Sequence, residues 1–174
     1  MMIIANIVLL NVLWFASILG AANGMIWPAA IVLVLLLGFN FIYAGISQLD
    51  FKIIVISIFS GLLIDGVMMN QGLVIYAYNQ PDLGWVPPLW IMMLWVGFGA
   101  SIRIGMQWLL NSPFIGGLFM MIGAPLSYVS AGKLGATVMP DLWQAMIFIG
   151  VSWLLYFMSI VQLTQNKEAE NALA

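Results

Sequence analysis

Hydrophobic residues run along this chain in long blocks, and few polar residues separate them. A helix needs about 20 mostly apolar residues to cross a membrane. Six blocks reach that length, at residues 3–22, 26–45, 53–72, 87–109, 113–132 and 142–163. The pattern predicts an all-α fold: a polytopic membrane bundle of six transmembrane helices. The joints carry helix punctuation. Asn23-Gly24 and Trp27-Pro28 separate the first two blocks, and Ser47-Gln48-Leu49-Asp50 the next pair. Asn111-Ser112-Pro113 offers a cap and a first-turn proline, and Asp141 is a candidate N-cap for the last helix. The one long connection, residues 73–86, holds two tyrosines, a tryptophan, a proline and a glycine. It reads as an ordered loop at the membrane interface, where Tyr and Trp are favoured. Residues 1–166 form one transmembrane domain on this reading, and 167–174 a polar C-terminal tail that frays into water.

Composition narrows the class. Of 174 residues, 64% are hydrophobic and 6% charged, against about 25% charged in soluble domains. The chain holds no cysteine and no histidine. That excludes disulfides, thiol nucleophiles, imidazole bases and Cys/His zinc sites. Asp50, Asp65, Asp82 and Asp141 are not clustered in sequence, so neither a metal nor a cofactor is expected. No basic patch suits nucleic acid. The first block has no Lys or Arg ahead of its apolar run, which exceeds the ~7–15 residues of a secretory h-region. It reads as a retained helix. With the N-terminus inside, six spans put Lys52, Arg103 and Lys167 on the cytoplasmic side and only Lys133 outside. This is a positive-inside pattern with both termini cytoplasmic.

One position stands out chemically. Asp65 lies within the third block, about seven residues or roughly 10 Å from its outer end. An ionisable group at that depth faces the bundle interior or a wet cavity. Ser57, Gly61 and Asp65 recur every four residues, so they share a helix face suited to close packing. Arg103 is ~14 Å away in depth along straight helices, so it is expected to snorkel to headgroups rather than pair with Asp65. The expected outer-leaflet cluster is Asp65 with Asn70, Gln71, Ser127, Tyr128, Ser130 and Lys133, joined by Ser17 and Asn23 from the first helix. Asp65, Tyr128 and Lys133 are the candidates for acid–base work. Asn6, Asn11 and Asn40 read as structural hydrogen-bonding residues. Eight tryptophans and thirteen methionines make an adaptable interior that either packs as core or lines a lipid or isoprenoid slot.

Several short stretches together resemble a known family. They are Trp14-Phe15-Ala16-Ser17-Ile18-Leu19-Gly20-Ala21-Ala22, Gly61-Leu62-Leu63-Ile64-Asp65-Gly66, Pro88-Leu89-Trp90-Ile91-Met92-Met93-Leu94-Trp95, Gly123-Ala124-Pro125-Leu126-Ser127-Tyr128 and Lys133-Leu134-Gly135-Ala136. Their order is similar to the bacterial inner-membrane domain-of-unknown-function family 2878. The resemblance implies a multi-pass inner-membrane protein, encoded near lipid-modifying genes, with Ser17, Asp65, Tyr128 and Lys133 at family polar positions. It transfers no activity. Three functions stay open: an accessory protein of membrane lipid metabolism, with membrane lipids or other membrane subunits as partners; an enzyme acting on a lipid or isoprenoid through Asp65; and a small proton- or cation-coupled transporter.

Overall fold

The polar joints of the sequence become the helix boundaries. The computed structural model describes residues 1–173, with side chains through Lys167. Seven helices form among the described residues: α1 (Met2–Ala22), α2 (Trp27–Tyr43), α3 (Gln48–Asn70), α4 (Leu89–Ser101), α5 (Gln107–Leu110), α6 (Pro113–Lys133) and α7 (Leu142–Leu173). Two short strands, β1 (Ile75–Tyr76) and β2 (Thr137–Val138), pair antiparallel, Tyr76 opposite Thr137. Four helices are long and apolar enough to cross a membrane: α1, α3, α6 and residues 142–167 of α7. This is a membrane protein. Helices α2 and α4 are apolar but shorter.

The expected fourth helix, 87–109, breaks after Ser101 and resumes as α5. The break has a local cause. The Ala100 carbonyl accepts a hydrogen bond from Asn40 Nδ2, and Asn40 Oδ1 in turn accepts one from Asn6 Nδ2 at 2.7 Å. Beyond it, Gly105 packs against Asn6 so closely that a Cβ there would overlap its amide oxygen. Irregular backbone of this kind is tolerated at membrane depth where protein buries it. The last helix differs too, since α7 runs to Leu173. The polar residues expected to fray are helical as far as the described backbone extends, and Ala174 lies outside the described residues.

Helix α4 sits centrally, packed on α1, α2 and α3; α3 continues to α7, and α7 to α6. Small residues permit the approach. Gly97 faces Leu13, Gly99 faces Ser57 and Gly61 faces Trp95, each too close for a Cβ. The face of Ser57, Gly61 and Asp65 is thus the α3–α4 seam, and all three are buried.

Arg103 pairs within the protein, though not with Asp65. Its Nη1 donates to Asp50 Oδ1 at 2.8 Å and to Ser47 Oγ at 3.0 Å. The same two residues form a capping box on α3: Ser47 Oγ accepts from Asp50 N, and Asp50 Oδ2 accepts from Ser47 N. Ser47→Ala removes the cap and one Arg103 acceptor, and should cost about 1 kcal/mol, read as a small fall in the thermal unfolding midpoint in detergent. At the opposite end Asp141 accepts from Gln144 N at 3.0 Å, capping α7.

Candidate functional site

Asp65 is fully buried, so its carboxylate depends on protein donors. Three converge on it. Tyr76 Oη and Tyr128 Oη each donate to Oδ1 at 2.6 Å, and Trp95 Nε1 donates to Oδ2 at 2.6 Å. Indole N–H is a donor only, so Oδ2 must be the acceptor. Each donor comes from a different element: β1, α4 and α6.

Sequence features position each one. Gly61 leaves a gap on α3 into which the Trp95 ring fits. The ladder turns Tyr76 inward, with Ala77 N bonded to Ala136 O at 2.8 Å and Trp90 Nε1 bonded to Ala77 O at 3.0 Å. Burial, and then the adjacent Asp65 carboxylate, raises the Tyr76 hydroxyl well above the ordinary tyrosine value, so it remains a donor. Trp95 stacks on Trp153 with ring centroids 4.6 Å apart and meets the edge of Tyr156 at 5.0 Å. Tyr156 lies 2.6 Å from Ser57 Oγ. Since the single Ser57 proton goes to Ile53 O, Tyr156 is the donor of that pair. The buried Trp153 N–H stands near the Tyr128 hydroxyl, but no partner meets hydrogen-bond geometry among the described residues.

Beside this cluster lies a slot of about 400 Å³, walled by α1, α4, α5 and α6. Trp95, Tyr128 and Trp153 line it; Asp65 does not, and sits behind their rings. One hydrogen bond spans the gap between α1 and α6, from Trp14 Nε1 to Ser127 Oγ at 2.8 Å.

Of the residues expected to gather around Asp65, only Tyr128 bonds to it. Ser127 faces α1 instead. Ser17 is buried, its hydroxyl without a partner among the described residues. Asn23 and Ser130 are exposed and bond back to their own helices, at Leu19 O and Leu126 O. Asn70, Gln71 and Lys133 are exposed. The reason is helical phase. Asn70 and Lys133 each lie five residues past a member of the site, roughly 140° around the helix. Sequence reading missed Tyr76 and Trp95. A buried carboxylate needs donors for both oxygens, and the aromatic residues of the neighbouring blocks were the source to search.

The fold and site together define a helical membrane protein that combines a buried carboxylate, hydrogen-bonded through both oxygens, with a largely apolar slot. The chain belongs to the family described as protein of unknown function (DUF2878), whose model matches residues 3–159. No curated protein and no solved structure matches it.

Proposed function

We propose that this is an accessory protein of membrane lipid metabolism that holds one apolar chain in the slot between α1 and α6. It would span the bacterial inner membrane six times, with both termini cytoplasmic. The slot carries the reading. Its volume falls within the ~300–1,000 Å³ of small-molecule sites, and its lining is almost wholly apolar or aromatic. Six spans require α2 and the α4–α5 pair to cross as well, and α2 and α4 are apolar though shorter than the other four. Pairing of β1 with β2 agrees with this, because an alternating chain brings residues 75–76 and 137–138 to one face of the membrane. Lys52 and Arg103 then lie on the other.

Gly123 provides the test. It lines the slot, and a Cβ there would meet only Phe119, at 3.9 Å. Gly123→Leu should obstruct the slot with a branched side chain without disturbing the bundle. Wild-type protein extracted in mild detergent should retain about one apolar lipid per chain by mass spectrometry, as a single slot of this size allows. The variant should lose it while keeping its thermal midpoint. Equal lipid retention by both proteins would sink the reading.

One observation favours a second reading, enzymatic chemistry on a lipid or isoprenoid. Tyr128 both lines the slot and donates to Asp65, so its hydroxyl connects the carboxylate to whatever the slot holds. Exposed Lys133 has no part in that connection.

A further inference from the structure

The slot and the carboxylate behind it have a shared electrostatic consequence. Aromatic rings share the lining with aliphatic side chains, among them Trp14, Trp90, Trp95, Phe98, Tyr128 and Trp153. No basic or acidic side chain lines it among the described residues. Asp65 lies one ring away and is hydrogen-bonded only by neutral donors. Arg103 is committed to Asp50, and Lys52 and Lys133 are exposed. Among the described residues no ion pair to Asp65 is formed, and its three hydrogen-bond donors are all neutral.

We infer that the slot takes a lipophilic cation: a single-chain or compact apolar body carrying an ammonium or other monovalent positive centre. This rests on the slot being a binding site, and it adds the chemistry of the occupant. Ring faces attract cations through their quadrupoles, most strongly when water is excluded. Trp95 and Tyr128 donate to the carboxylate, and this polarises electron density toward their rings, in the direction that strengthens such contacts. An ionised Asp65 and a cation in the slot stabilise one another across a low-dielectric gap. An anionic amphiphile meets the same carboxylate with the opposite sign. A two-chain phospholipid exceeds the space of one slot and brings a phosphate with its amine.

The experiment uses the intact protein in dodecyl maltoside with radiolabelled tetraphenylphosphonium as the probe, followed by equilibrium dialysis. Binding should saturate near one probe per chain. Dodecyltrimethylammonium should displace it at least about tenfold more effectively than dodecanol, dodecyl sulfate or dioleoylphosphatidylethanolamine, a margin in keeping with a desolvated cation–π and charge contact. Asp65→Asn should weaken the probe by about tenfold or more. The headgroup series on the wild-type protein decides the matter even if that variant fails to accumulate. Displacement by dodecanol, dodecyl sulfate or the phospholipid as effective as by the ammonium would overturn the inference. A protein that keeps its co-purified lipid yet shows no saturable probe binding would overturn the cation assignment alone. Loss of both would overturn the slot itself.

Discussion

Asp65→Ala should remove most of the protein from the membrane fraction, and what survives should unfold far below wild type. The substitution deletes the acceptor for three buried donors, Tyr76, Tyr128 and Trp95. Each stranded donor costs about 1–3 kcal/mol. Allowing one to find a new partner, the sum for the other two is about 2–6 kcal/mol, a large share of the whole stability of many proteins. Tyr76→Phe gives the contrast. It removes one of two donors at Oδ1 and leaves the carboxylate bonded through both oxygens, so its cost should be about 1 kcal/mol. Asp65→Asn should fall between, because its amide presents a donor where another donor already sits. Thermal unfolding in detergent of the three variants, with membrane-fraction yields, checks the order. An Asp65→Ala protein that melts within about 3 °C of wild type, the shift expected from ~1 kcal/mol in a chain this long, would show that the cluster does not hold the bundle.

Gly61→Ala should be nearly as damaging, although alanine is the better helix former by about 1 kcal/mol. The added methyl would overlap Cδ1 and Cγ of Trp95 and lie 2.7 Å from its Nε1. Trp153 stacked on one face and Tyr156 against it resist displacement of the ring, and any retreat into the slot breaks its bond to Asp65. Overpacking costs about 1–3 kcal/mol, and displacing the indole loses a hydrogen bond to a charged group, about 1.5–3 kcal/mol. Less the helix-propensity gain, the net loss is roughly 2–5 kcal/mol. The cause can be isolated with Trp95→Phe, whose smaller ring makes no bond to Asp65. If the clash and the lost bond are the mechanism, the double variant should be markedly more stable than the summed single effects imply. Neighbours that share a cause couple by about 0.5–3 kcal/mol. Simple additivity would rule this mechanism out.

Much of the architecture was legible because water and lipid impose it residue by residue. The apolar blocks had to become helices, and Ser47, Ser112 with Pro113, and Asp141 stand where helices begin. The spacing of Ser57, Gly61 and Asp65 revealed the packing seam for the same reason, since a period of four is a property of one helix. Contacts between elements were harder to read. Tyr76 reaches Asp65 only because β1 pairs with a strand sixty-two residues away. Trp95 reaches it only because Gly61 lies opposite, a pairing no local pattern records. Lys133 was misplaced by giving charge and depth precedence over helical phase. The interruption after Ser101 was hard to read even though Arg103, Gly105 and Gln107 dilute the apolar run there, because its cause is an amide contributed by Asn40.

The three donors to Asp65 share one further property: all lie later in the chain, 11, 30 and 63 residues on. Synthesis from the N-terminus therefore places Asp65 in the chain before any of its three donors. The full set of bonds requires the chain to extend through Tyr128 of α6, and the pairing that holds the β1 loop requires β2 beyond it. Any product that ends before Tyr128 carries an incompletely bonded acid at membrane depth. The residue that organises the finished bundle is thus the one a truncated chain leaves short of donors.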